Sequence, residues 1–172
     1  MRILLVAAAA CCALAAPAAA EITSSSPIHF DIESRVTVAV PPDRAYEALG
    51  RIGAWWDGAH SYSGDAANMR LELRAGGCFC ETLPDGGTVE HMHVVQALPG
   101  RAIRMTGALG PLQSEALTGT LTWTLRAVPE GTEITSVYLV SGHVRGDVGA
   151  YAAPVDAVLR AQLERLRLHL AH

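Results

Sequence analysis

The chain of 172 residues contains no lysine: its 13 basic residues are all arginine, set against 17 acidic ones. The formal net charge is −4 and the arginines are scattered. A nucleic-acid partner is therefore not expected, because a phosphate backbone calls for a clustered positive surface. Aromatic residues are few, at 5%, so each tryptophan and tyrosine counts as a candidate for core or ligand wall. There is no Gly-x-Ser-x-Gly elbow, no His-Glu-x-x-His, no phosphate loop and no dinucleotide fingerprint. Hydrolase, protease, kinase and dehydrogenase chemistry thus lacks its usual residues, and no cofactor is expected.

Half of the residues are apolar, enough for one globular domain with a real core. The first twenty residues read separately. Arg2 is followed by an apolar run from Ile3 to Ala16 and by Ala18-Ala19-Ala20 before Glu21. This pattern is that of a secretory signal peptide over 1–20, too short and too small-residued for a spanning helix. Lipidation at Cys11 or Cys12 is disfavoured, since Ala8 or Ala9 stands where a larger aliphatic is usual. The expected mature protein is periplasmic or secreted, has no stable membrane insertion, and keeps only Cys78 and Cys80 in an oxidising compartment.

Residues 21–31 start Ser-rich with no apolar period and are expected to be a flexible leader. A strand pattern follows, with Val36, Val38 and Val40 alternating with polar neighbours. Pro41-Pro42 ends it, Asp43 is placed as a helix N-cap, and short helical pieces run to Trp55-Trp56. Alternation at Met69, Leu71 and Leu73 marks another strand, and Gly76-Gly77 and Pro84-Asp85-Gly86-Gly87 mark turns. Gly119, Leu121, Trp123 and Leu125 alternate with threonines in the clearest strand of the chain. After Gly149, Val155, Val158, Leu159, Leu163, Leu166 and Leu170 recur at helical spacing, with Arg160, Glu164 and Arg167 on the opposite face. Such a helix needs a broad apolar partner. The expected fold is α+β: a curved antiparallel sheet of about six or seven strands wrapped on a long C-terminal helix, with two short helices after the first strand. A bent sheet and a straight helix diverge away from their line of contact, which leaves room for a ligand.

The run Val36-Thr-Val-Ala-Val-Pro-Pro-Asp43-Arg-Ala-Tyr-Glu-Ala-Leu49, with Trp55-Trp56, Gly76-Gly77-Cys-Phe79 and the closing helix, resembles the SRPBCC superfamily. This helix-grip group includes START lipid-transfer domains, polyketide cyclases and pollen-allergen-like proteins. The resemblance spans about Ile32 to Leu170, within a domain taken as 32–172. It implies a fold, but the group holds carriers, cyclases and chaperone activators, and no catalytic motif of a member is matched here.

Candidate residues follow from this frame. Trp56, Tyr62, Cys80, His91 and Trp123 are expected to bind a small hydrophobic molecule, a lipid or aromatic metabolite. His60, His91 and Glu81 are the acid–base candidates should the protein be a cyclase- or lyase-like enzyme, with His143 and Glu90 also available. A third reading is a protein-partner module with a filled interior. Leu109 and Leu112 belong to a turn-rich loop that either tucks inward as an ordinary connection or covers one end of a cavity. If Leu83 pairs with Thr88, Cys80 faces His91 and Cys78 faces His93. Three readings of the thiols stand: two small buried cysteines, a strained Cys78–Cys80 disulfide, or, as a lesser alternative to no metal, a zinc set of Cys78, Cys80, His91 and His93. The oligomeric state is not legible in the sequence.

Overall fold

The computed structural model describes residues 19–171. Its eight strands are β1 (Ala19–Ser26), β2 (His29–Val38), β3 (Met69–Leu71), β4 (Cys78–Thr82), β5 (Thr88–Leu98), β6 (Ala102–Gly107), β7 (Ala116–Val128) and β8 (Gly131–His143). They form one open sheet in the order β1-β2-β8-β7-β6-β5-β4-β3, with every neighbouring pair antiparallel. Two helices complete the fold, α1 (Pro42–Gly50) and α2 (Ala152–His169). Three short 3₁₀ turns lie between α1 and β3, at Ile52–Ala54, Gly58–His60 and Ala66–Asn68. This is the helix-grip arrangement, with one strand more than the upper count expected.

The periodicities explain the layers. Along β7 the inward Leu117, Gly119, Leu121, Trp123 and Leu125 are buried while their threonine neighbours reach the other face. Phe30, Ile32, Val36 and Val38 of β2 do the same, and α2 lies across β2 and β1. Leu159, Leu163 and Leu166 supply the buried stripe of α2, and Arg167 pairs with Glu164 at 2.6 Å on its outer side. The helix is entered through a 3₁₀ turn, Val148–Tyr151, capped by Asp147, which accepts a bond from the Gly149 amide. At the other end of the sheet connection, α1 starts at Pro42 rather than at an Asp43 cap. Proline fits the first turn, where its missing N–H is not needed, and Asp43 sits within that turn.

Two local expectations change. Residues 21–31 are not a loose leader: 21–26 belong to β1 and 29–31 to β2. An edge strand needs no apolar period, because its backbone bonds to β2 hold it and its serines bind locally. Ser26 and Ser24 hydroxyls bracket the His29 ring at 2.7 and 2.9 Å. The signal segment over 1–20 lies outside the described residues, apart from Ala19 and Ala20, whose backbone opens β1.

The second change is a β-bulge between β4 and β5. Cys78 faces His93 as expected and Phe79 faces Met92, but Cys80 faces Glu90, so β5 carries one extra residue, His91. A bulge of this kind reverses which side chains point inward beyond it. His91 and Met92 are consecutive yet both buried, while Glu90 and His93 are exposed. Behind the bulge, Gly107 (φ +148°) lets β6 close up: a Cβ there would lie 2.7 Å from the His91 carbonyl oxygen.

Candidate functional site

A cavity of about 680 Å³ opens between the first turns of α2, the loop around Gly58–Tyr62 and the loop around Leu109–Ser114. Its size is that of a small-molecule site. Leu109, Leu112, Val155, Val158 and Leu159 make it mainly apolar. The interior is therefore not filled at this end of the sheet. Of the two roles open to the Leu109–Leu112 loop, it takes that of a cavity wall.

The polar wall comes from the bulged hairpin. Alternation on β4 sends Phe79 and Glu81 inward, and the bulge sends His91 inward beside them. The Glu81 carboxylate is fully buried. It accepts bonds from the amides of Tyr62, at 3.0 Å, and Ser63, and it meets His91 Nε2 at 3.0 Å. Burial pushes the Glu81 carboxyl up, but hydrogen bonding from Ser63, Tyr62 and His91 outweighs it and leaves the group below the ordinary carboxylate range. For His91 burial dominates and lowers the imidazole pKa, against the bond and charge of Glu81, which raise it. An ionised carboxylate only accepts, so Nε2 carries the proton and donates. Nδ1 is then the nitrogen with a free lone pair, and no side chain or backbone group among the described residues bonds to it. His91 lines the cavity. The arrangement is a buried carboxylate–imidazole pair able to accept a hydrogen bond, or a proton, from a guest.

An aromatic ladder fixes this wall. Trp123 packs on Trp55 (6.2 Å between ring centroids), Trp55 on Trp56 (5.7 Å), Trp56 on Phe79 (5.7 Å), Phe79 on His91 (4.9 Å) and His91 on Tyr62 (5.9 Å). Trp56 donates through Nε1 to the His60 carbonyl at 3.1 Å, which shapes the mouth. Tyr62 is half exposed, and its hydroxyl donates to the Gly110 carbonyl at 2.9 Å. That bond ties the two mouth loops together. Tyr138 secures the far loop from below, accepting the Leu109 amide at 3.2 Å, with its own phenol pushed up to about 12 by burial. Gly119 makes room for the Tyr138 ring, since a Cβ there would lie 2.6 Å from it.

Of the residues singled out from sequence, Trp56, Tyr62, His60 and His91 line the cavity, and Glu81 stands directly behind His91. Two do not belong. Trp123 sits at the inner end of the ladder, buried against Trp55. Cys80 alternates to the opposite face of the sheet, where it is joined to Cys78 in a disulfide with alpha carbons 5.3 Å apart. That is closer than the ~6.5–7 Å of two residues on a regular strand. The zinc set of Cys78, Cys80, His91 and His93 is likewise divided, because the bulge turns His91 inward and away from the other three.

Sequence reasoning missed Gln162 and Arg165. Gln162 is buried on α2 and accepts the Asp57 amide at 2.8 Å; Arg165 donates to the Trp55 carbonyl at 2.9 Å. Together they moor the mouth loop to the helix. The signal was present in Gln162, a polar residue next to Leu163 on the apolar face.

Fold and cavity together define a helix-grip protein that encloses a small-molecule-sized space. More narrowly, the chain belongs to the family described as polyketide cyclase / dehydrase and lipid transport, whose family model matches residues 29–171, and so to the SRPBCC superfamily. A solved protein from Rhizobium leguminosarum has the same fold, with a TM-score of 0.61 and 19% identity over 91% of this chain and 99% of its own. MLL2253 from Mesorhizobium loti matches with a TM-score of 0.60 and 18% identity, over 82% of this chain and 96% of its own. The di-domain ARO/CYC StfQ from the steffimycin biosynthetic pathway gives a TM-score of 0.56 and 19% identity, over 84% of this chain and 51% of its own. Identities this low carry the fold and not the activity. No curated protein matches the chain.

Proposed function

We propose that this chain is an exported binding protein for a small hydrophobic molecule bearing one polar hydrogen-bond donor, such as a lipid or aromatic metabolite. The observation that carries the reading is the largely apolar cavity of about 680 Å³ with His91, backed by the buried Glu81, in its wall. Apolar contact with Leu109, Leu112, Val155 and Val158 supplies affinity, and the Nδ1 lone pair orients the guest by accepting its hydroxyl, enol or amide proton. Export is supported by the signal pattern over 1–20; cleavage after Ala20 removes the β1 pairs Ala19–Arg35 and Ala20–Ser34 and keeps those from Glu21 onward. Native mass spectrometry of the mature protein against a panel of lipids and aromatic compounds tests this. Retention of one guest with quenching of tryptophan emission is expected; a protein that retains nothing and shows no quenching would contradict it.

A cyclase- or lyase-like enzyme is the second reading, favoured by the Glu81–His91 pair. Here His91 Nδ1 takes a proton from a bound carbonyl compound, and the Glu81 carboxylate steadies the imidazolium that forms. His60, at the mouth, is the second acid–base group within the same cavity. Turnover of a retained carbonyl guest that is lost in His91→Gln, while the guest still binds, separates catalyst from carrier. Unchanged guest after prolonged incubation leaves the carrier reading.

A further inference from the structure

The bulge that turns His91 inward assembles a different set of donors on the outer face of the same hairpin. Cys78 Sγ, Cys80 Sγ and a Glu90 carboxylate oxygen all lie within 4.8 Å of one another. Cys78 Sγ is 3.8 Å from Glu90 Oε2, and the other oxygen of Glu90 is 3.8 Å from His93 Nδ1. His93 is also the cross-strand partner of Cys78. Donors around a tetrahedral zinc ion are separated by about 3.3–3.8 Å, given metal–ligand bonds of about 2.0–2.3 Å. The two measured separations therefore fall at the upper edge of that range. Glu90 and His93 are about half exposed, which leaves an entry path for an ion.

We propose that, once the disulfide is reduced, Cys78, Cys80 and Glu90 bind a thiophilic divalent ion such as zinc, with His93 completing the tetrahedron. The chemistry of the donors points to this class: two thiolates with an imidazole and a carboxylate suit zinc, cadmium or cobalt, and not magnesium or calcium. A dithiol reductant gives the disulfide two electrons and two protons, itself closing to a disulfide, and leaves two thiols; the ion then displaces both thiol protons. In the disulfide form the sulfurs bear no negative charge and the site does not bind. The site shares only the hairpin with the cavity and stands whether or not the cavity takes a guest.

The test uses the full mature protein, oxidised or reduced with a trialkylphosphine, which gives up two electrons and becomes its oxide with oxygen from water. The phosphine is removed before cobalt(II) is titrated. The reduced protein is expected to bind one equivalent, with a thiolate-to-cobalt charge-transfer band and tetrahedral d–d bands, and zinc is expected to displace the cobalt. The oxidised protein, folded by circular dichroism, should show neither band. His93→Ala and Glu90→Gln should each weaken cobalt at least tenfold, while His143→Ala leaves it unchanged. The proposal is overturned by absence of thiolate bands in the reduced protein, by equal binding in both redox forms, or by unchanged affinity in both His93→Ala and Glu90→Gln.

Discussion

The inner face of the sheet has a packed half and a hollow half, and the two differ in their strands and in the loops that cover them. Around Trp123 large side chains meet: Trp55 packs on its ring, and Leu121 and Leu125 beside it on β7 are buried. Around His91 the loops set small residues, Ala59, Ser61, Gly110 and Ser114, among Leu109, Leu112 and Tyr62, and a space remains before Val155 and Val158 of α2. The strands differ, since the hollow half carries the bulged β4–β5 hairpin and the packed half the regular β7. The loops that cover them differ too, and their small residues help to leave the hollow. Gln162, Arg165, Tyr62 and Tyr138 then fix those loops in place by hydrogen bonds.

The largest expected effect comes from attacking the packed half. Trp123→Ala removes the buried foot of the aromatic ladder and should cost about 3–5 kcal/mol, read as a lowered midpoint in urea unfolding. A cost below about 1 kcal/mol would mean that the region is not close-packed.

The polar wall of the hollow comes next. Glu81→Gln replaces a carboxylate that takes three donors with an amide whose NH₂ must face some of them, and should cost about 1–3 kcal/mol. The pH dependence carries a sign. With the His91 pKa lowered, the unfolded chain binds a proton first, so stability falls as pH drops below the ordinary histidine value of 6.5. The Glu81 pKa is also lowered, so its contribution is present above 4.5 and is lost as pH falls through its folded value. Urea unfolding of the oxidised wild type at several pH values should show both losses, and Glu81→Gln only the first. A wild-type stability that rises on acidification would contradict the pairing.

The smallest effect belongs to the mouth. Tyr62→Phe removes the bond to the Gly110 carbonyl at a half-exposed site and should cost about 0.5–1.5 kcal/mol. It should also speed release of a bound guest in stopped-flow fluorescence, because the two loops are no longer tied. An unchanged release rate would show that the tie does not gate the cavity.

Much of this architecture was legible in the sequence. The threonine alternation marked β7, and the spacing from Val155 to Leu170 gave α2 and its buried stripe. Trp56, Tyr62 and His91 were recognisable because few aromatic or titratable residues stood near loops at a sheet edge. What escaped has a physical reason in each case. The β1 edge strand is held by backbone bonds and serine hydroxyls, which leave no hydrophobic period. The bulge at His91 is a register event, and a one-residue slip between β4 and β5 put Glu90 in place of His91 on the outer face. That slip removed Cys80 from the expected site and gave His91 its partner Glu81. Trp123 has the composition of a cavity wall, and only its neighbours made it core.

The most direct test of the central claim is to fill the hollow half and ask whether binding goes with the space. Ala59→Trp with Val158→Trp places two indoles into the cavity from opposite walls. Titration with 8-anilino-1-naphthalenesulfonate, read by probe emission and by tryptophan quenching, should give one site in the folded wild type. In the double variant, at an unchanged unfolding midpoint, affinity should fall at least tenfold. No probe binding by the folded wild type, or equal binding by both proteins, would contradict a cavity that exists to hold a guest.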